Sequence, residues 1–315
     1  MRIAVMGSGG VGGFFGARLG RGGADVTFVA RGAHLAAMRE RGLTIESAQE
    51  PIHLPKVQAT DDPASIGPVD VVLFCVKLWD TESAARLLVP IVEPHTAIIS
   101  LQNGVQKDDM LRAVFGDTHV MGGVGYMATT VARPGVIAQT GTFQRMIFGE
   151  YDGSRSARAE ALLAAALAGG INAEISRDIR RAIWEKFVFL VGLSGATTAM
   201  RSAIGPIRSE PQTRAFLLDL IREAVAVGRA HGVTLPVDYA DAQLAFADGL
   251  PPDMTSSMHH DLERGRPLEV RWLSGGVVAL GAAVGVPTPV NRAVADILAL
   301  HAQGRAATKL AQDKV

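Results

Sequence analysis

Residues 2–16 read RIAVMGSGGVGGFFG. Five residues rich in β-branched and apolar side chains run into a loop that places Gly7, Gly9 and Gly12 in G-x-G-x-x-G spacing. A strand, a glycine turn and the start of a helix in that order form the phosphate-binding turn of a dinucleotide-binding βαβ unit. Gly7 allows the tight turn after the strand, and Gly9 lets backbone approach a pyrophosphate. Gly12 permits close helix–strand packing, and the helix then offers free N–H groups and a positive dipole end to the phosphates.

Working outward, the βα rhythm continues. DVTFVAR (25–31) is a second strand, AHLAAMRERG (33–42) a short helix closed by Gly42, and VDVVLFCVK (69–77) an apolar central strand. The helix ESAARLLVPIV (82–92) is expected to be capped by Asp80 or Thr81, and TAIISLQNG (96–104) is a further strand and loop. This predicts a doubly wound parallel sheet with right-handed crossovers. Beyond residue 118 the rhythm changes. HVMGGVGYMATTV (119–131), GVIAQTG (135–141) and FQRMIFGE (143–150) read as successive strands, followed by an Ala/Leu-rich helix and an edge strand INAEIS (171–176). From Asp178 the pattern is helical, with breaks that include Gly205-Pro206 and Pro251-Pro252. The organisation is α/β, with a Rossmann-type domain over 1–178 and an all-helical domain over 179–315; the last residues, AQDKV (311–315), are expected to fray.

Composition limits the function. The 315 residues are 48% hydrophobic, which suffices for two cores, and 31 Lys+Arg balance 31 Asp+Glu, so no footprint for nucleic acid or an anionic membrane is present. No signal peptide or spanning segment is seen, and the single cysteine, Cys75, reads as a buried small hydrophobe, so a cytoplasmic protein is expected. His259-His260-Asp261 does not form a metal site, because neighbouring residues point to different helix faces.

The second strand ends in Arg31, where NAD sites place an acid and NADP sites an arginine, and Lys77 ends the strand at 69–77. NADPH is therefore the expected cofactor. Gln102 and Asn103 follow a strand on the ligand-facing edge, where their amides can bond cofactor and substrate. In AIWEKFVFLVGL (182–193) Lys186 stands in a helix that is apolar nearly all round; taken alone, it could simply extend its ammonium to solvent.

Together, the glycine loop with Arg31, VK at 76–77, LQNG at 101–104, WEKF at 184–187 and SSM…RGRPLEVRWLSGG at 256–276 resemble ketopantoate reductase, also called 2-dehydropantoate 2-reductase. The resemblance spans nearly the whole chain. It implies a Rossmann domain followed by a helical domain like that of 6-phosphogluconate dehydrogenase, with the active site in the cleft between them, and NADPH-dependent reduction of 2-dehydropantoate to pantoate in pantothenate biosynthesis. It implies Lys186 as the general acid, Glu269 as the active-site glutamate that holds the substrate hydroxyl, Ser257 at the substrate carboxylate and Asn103 at nicotinamide and substrate. Gly7, Ser8, Gly9, Gly10, Val11, Gly12, Arg31, Lys77, Gln102 and Asn103 fall among the cofactor contacts. Helical domains of such reductases often pair, which points to a homodimer. Best-known members carry asparagines four and eight positions after the lysine; here they are Leu190 and Ser194, which leaves another, less polar 2-oxo acid as an alternative substrate. The alternative from a different class is an NADPH-binding sensor without turnover.

Overall fold

The computed structural model describes residues 1–305; AQDKV lies outside the described residues. The chain forms two units, one of Met1–Gln102 with Lys107–Ala182, the other of Asn103–Gln106 with Ile183 and the residues after it. The division falls in the first turn of a long helix, and a four-residue loop after a sheet strand belongs with the helical unit.

The first unit runs β1 (Arg2–Met6), α1 (Gly10–Arg21), β2 (Asp25–Val29), α2 (Gly32–Arg41), β3 (Leu43–Glu46), β4 (Ile52–Leu54), β5 (Gln58–Thr60), β6 (Val71–Phe74), α3 (Thr81–Leu88), β7 (Ala97–Ser100), α4 (Lys107–Phe115), β8 (Val120–Arg133), β9 (Val136–Gly149), α5 (Ala157–Ala168) and β10 (Ala173–Ile175). The sheet order is β4-β3-β9-β8-β7-β6-β1-β2-β5, with β10 also on β9. From β5 to β8 all pairs are parallel, as in a doubly wound nucleotide-binding sheet, and the order reverses between β1 and β6.

Beyond β8 the pattern departs from the expectation of separate strands at 135–141 and 143–150. They form one strand, β9, antiparallel to β8. Met127 faces Gln144 but Thr129 faces Gln139, so the residues around Gly141 (φ +69°) bulge out of a continuous strand instead of turning the chain. The other side of β9 takes β3 in parallel, and β3 takes β4. Strands β3, β4 and β5 have no counterpart in the sequence reading.

The sheet curls around α1. Cβ atoms placed on its glycines would meet neighbours from every side: Thr129 O at 2.6 Å from Gly10, the Ile137 side chain at 3.0 Å from Gly13, the Phe28 ring at 2.5 Å from Gly16. Each glycine costs a helix about 1 kcal/mol relative to alanine. This enclosure is the compensation, because only a bare helix surface admits sheet on opposite sides. The expected caps of α3 are not made: Asp80 holds the N-cap position without a side-chain bond, and Thr81 Oγ1 donates back to Leu78 O at 2.8 Å.

The second unit contains α6 (Ile179–Met200), α7 (Ile204–Ser209), α8 (Pro211–Ala230), α9 (Tyr239–Asp248), α10 (Ser257–Glu263), α11 (Ser274–Ala283) and α12 (Pro289–Leu298). Gly205-Pro206, expected as a break, lies inside α7; proline is tolerated in a first turn, where its missing N–H has no partner to lose. The apolar circumference of α6 is explained by its surroundings. Trp184, Phe187, Val188 and Val191 enter a core with Leu220, Ile221, Val277 and Val294. Gly192 lets Ile221 approach, and Gly228 lets the Trp184 ring approach. Val105 packs on the same core, which is why residues 103–106 belong to this unit.

Candidate active site

In the first unit the cofactor candidates gather at the carboxyl ends of the parallel strands. Gly7 follows β1 with φ +94°, and a Cβ there would stand 2.8 Å from the Val76 nitrogen, so only glycine fits between β1 and the loop after β6. Gly12 is equally constrained: a Cβ would lie 2.3 Å from Gly7 O. Gly9 differs. Its backbone is extended, and nothing stands within 4 Å of its missing Cβ. The fold makes no demand for glycine there, and the backbone is left open to a group approaching from outside. The first helical bond runs from Gly13 N–H to Gly9 O at 2.7 Å, so the N–H groups of Gly9, Gly10, Val11 and Gly12 form the open end of α1. An open, positively polarised helix end beside a backbone with free approach fits a dinucleotide's phosphates.

Arg31 is the N-cap residue of α2, just past the end of β2, and its side chain is exposed. Lys77 follows β6, with its ammonium 5.7 Å from the centre of the Trp79 ring. Ser8 is buried, and its hydroxyl donates to Val29 O at 3.0 Å. The side chain of Gln102 is committed internally: its amide donates to Val76 O and Thr81 Oγ1, and its oxygen accepts from Ser100 Oγ. It braces the loops after β6 and β7 against each other, so contact of its amide with a cofactor gains no support from this geometry. Desolvation pushes the Cys75 thiol up to about 12, which keeps it protonated at neutral pH and unsuited to nucleophilic work.

The sequence reading missed the group beneath this loop. Lys107 is fully buried, and its ammonium donates to Ser100 O and to both Asp108 oxygens, each at 2.9 Å. Tyr151 donates to Asp108 Oδ2 at 2.5 Å, and the Arg112 guanidinium stacks on the Tyr151 ring at 3.9 Å. Burial lowers the Lys107 pKa, and burial with the neighbouring Asp108 raises that of Tyr151. A lysine next to an aspartate at a helix start ordinarily reads as a solvated pair, so no local signal marked it.

In the second unit, Lys186 on α6 donates to Asn103 Oδ1 at 3.1 Å. Half-buried Lys186 therefore lies on the face of α6 turned to the 103–106 loop. Glu269 is buried and heads a short 3-10 turn, residues Glu269–Arg271, ahead of α11 and not the apolar helix itself. Ser257 opens α10 and is exposed. Its neighbour Ser256 is the buried cap, accepting from His259 N–H and sharing a 3.0 Å hydrogen bond with Thr197 on α6. That bond anchors the Ser257 turn to α6. Leu190 packs partly buried against the core, and Ser194 is wholly buried. His259 is used structurally, with Nδ1 at 2.9 Å from Thr197 O and Nε2 at 3.2 Å from Glu263. A cavity of about 290 Å³ lined by Arg201, Arg266, Arg305 and Glu263 lies elsewhere in this unit; none of Lys186, Asn103, Ser257 and Glu269 lines it.

A glycine-loop nucleotide-binding fold in one unit and a helical unit after it define a protein of the two-unit Rossmann class. The chain belongs to the ketopantoate reductase family: the description Ketopantoate reductase PanE/ApbA covers residues 3–153, and Ketopantoate reductase PanE/ApbA C terminal covers residues 178–302. It is 32% identical to a 2-dehydropantoate 2-reductase of Mesorhizobium japonicum, over 93% of this chain and 95% of that protein. The crystal structure of a PanE/ApbA family ketopantoate reductase from Ralstonia eutropha superposes with a TM-score of 0.87 at 33% identity, covering 96% of this chain and 98% of that one. At 19% identity the likeness is to fold alone: a D-mandelate dehydrogenase solved with NADH and anilino(oxo)acetate has a TM-score of 0.87 and covers 96% and 98% of the two chains. No helix among the described residues is long and apolar enough to cross a membrane.

Proposed function

We propose that this chain reduces 2-dehydropantoate to pantoate with NADPH, in pantothenate biosynthesis. The observation that carries the reading is the Lys186 Nζ to Asn103 Oδ1 hydrogen bond of 3.1 Å, which fixes an ammonium beside the loop that follows β7. When bound, NADPH supplies the hydride. Lys186 donates to the substrate's ketone oxygen and gives up a proton as negative charge develops there. Asn103 aims the ammonium by accepting one of its hydrogens. Glu269 accepts from the substrate hydroxyl, and the Ser257 hydroxyl donates to the carboxylate. Arg31 reads the 2′-phosphate with its planar fork, which supports NADPH over NADH. The open end of α1 takes the pyrophosphate, and Lys77 adds charge at the same sheet edge. The same reading carries a cytoplasmic location and a homodimer through the helical unit.

A second reading, an NADPH-dependent reductase of a less polar 2-oxo acid, is favoured by Leu190 and by the fully buried Ser194 on α6. The test is a panel of 2-oxo acids assayed with NADPH and with NADH by loss of reduced-nicotinamide absorbance. The proposal expects the highest kcat/KM for 2-dehydropantoate with NADPH. A maximum at an apolar 2-oxo acid selects the second reading, no turnover with any acid selects a cofactor-binding sensor, and equal rates with NADH overturn the role of Arg31.

A further inference from the structure

His34 sits on the first turn of α2 and is held at both ring nitrogens. Gly135 N–H, in the turn between β8 and β9, donates to Nδ1 at 3.0 Å, and Nε2 lies 2.9 Å from Ser8 O in the glycine loop. An N–H only donates, so Nδ1 is the acceptor. Nε2 then carries the hydrogen and donates to Ser8 O, and the ring is the neutral Nε2–H tautomer.

This bond acts on the part of the loop the cofactor reading depends on. Ser8 is fixed at three points: its N–H donates to Val29 O at 3.1 Å, its hydroxyl donates to the same oxygen, and its carbonyl receives His34. In a trans peptide the carbonyl of one residue and the N–H of the next point in opposite directions. With the Ser8 carbonyl held toward α2, the Gly9 N–H faces the other way, from a residue whose missing Cβ meets nothing within 4 Å. The hairpin turn that holds the other side of the ring is itself fixed, since Thr44 N–H of β3 donates to Gly135 O at 3.0 Å.

Resting on the reading that the glycine loop takes a nicotinamide dinucleotide, we propose that His34 is a positioning residue for that loop: its neutral imidazole, clamped between the Gly135 N–H and the Ser8 carbonyl, sets the Ser8–Gly9 peptide so that the Gly9 N–H is presented to a phosphate. Protonation removes the Nδ1 acceptor and sets two N–H groups against each other. Burial lowers the His34 pKa below its ordinary value, opposed by the bond to Ser8, so the neutral form is the one kept at neutral pH. The glycine loop has no titratable side chain. The charged residues nearest in sequence to the ring and its partners are Arg31, the N-cap of α2, and Arg133 beside the hairpin turn, which is paired with Glu46 of β3 at 2.6 Å; the last turn of α2 adds Arg39, paired with Asp61 at 3.2 Å, and the Glu40–Arg41 pair.

The experiment is titration of NADP⁺ and of NAD⁺ into the full chain, comparing wild type, His34→Ala and His34→Gln. The glutamine keeps an N–H donor for the Ser8 carbonyl but does not titrate. Loss of the clamp weakens NADP⁺ binding about tenfold or more in His34→Ala, and His34→Gln recovers most of it. As pH falls below the ordinary histidine value of about 6.5, wild-type affinity drops relative to His34→Gln. Binding by His34→Ala within about twofold of wild type, or a wild-type to His34→Gln ratio that is flat with pH, overturns the proposal. Should the variants fail to fold, ¹⁵N-histidine NMR of the wild type decides: an Nδ1–H tautomer at His34 contradicts the clamp, and an Nε2–H tautomer lost in the same pH range as affinity supports it. A wild type that binds neither dinucleotide overturns the reading of the loop itself, a result distinct from wild-type binding that His34→Ala leaves unchanged.

Discussion

At Gly12 a Cβ would stand 2.3 Å from Gly7 O, whereas at Gly9 it would touch nothing. The two substitutions therefore separate folding from binding. Gly12→Ala forces the first turn of α1 away from β1 and is expected to destabilise the first unit by about 1–3 kcal/mol, as overpacking does. Gly9→Ala is expected to leave the melting temperature within experimental error and to lower dinucleotide affinity strongly, because its methyl occupies the direction of approach. Melting curves with cofactor titrations check both; a Gly9→Ala protein that binds normally would show that no ligand approaches there. The glycine roles were readable from spacing because they depend on neighbours a few residues away. The role of His34 was not, since its partners, Ser8 and Gly135, come from two loops far apart in sequence.

Among the elements, strand β1, helix α1 and the apolar strand β6 were legible because each carries a local signal: a glycine turn, or an apolar run with no alternation. The β8–β9 hairpin was partly legible, and its single bulged strand was misread as two because Gly141 imitates a turn. The short strands β3, β4 and β5 have three or four residues each and owe their existence to pairing with β9, β3 and β2, which no local pattern encodes. The anchoring of α4 was equally hidden. Lys107 and Asp108 are an ion pair with side chains 1% and 2% exposed, and they hold the carbonyl end of β7 immediately before the Gln102-Asn103 loop. Removing one partner strands the other in a low-dielectric interior. Lys107→Met is expected to cost about 3–5 kcal/mol in urea unfolding. A loss below about 1 kcal/mol would mean that water reaches the pair.

At the scale of the molecule, the family assignment and the two-unit architecture agree with motifs distributed along the whole chain, from Gly7 to Glu269. Fold alone does not fix the reaction, since a D-mandelate dehydrogenase shares it at 19% identity. The reaction is carried by side chains, and the helical unit concentrates the evidence on α6. Lys186 there is bonded to Asn103, and four and eight positions further along the helix stand the partly buried Leu190 and the wholly buried Ser194. The lysine was legible as an anomaly, a charge within an apolar helix. Asn103 was named as a site residue, but its bond to Lys186 was not legible, because the two lie 83 residues apart along the chain.

The central claim is that Lys186 supplies the proton while the glycine loop holds the cofactor independently. The most direct measurement is turnover of NADPH with 2-dehydropantoate by wild type and Lys186→Ala, paired with NADPH affinity of both by fluorescence titration. Turnover reduced by about 10²–10⁴ with affinity within about twofold is the predicted result. Near wild-type turnover in Lys186→Ala would contradict it.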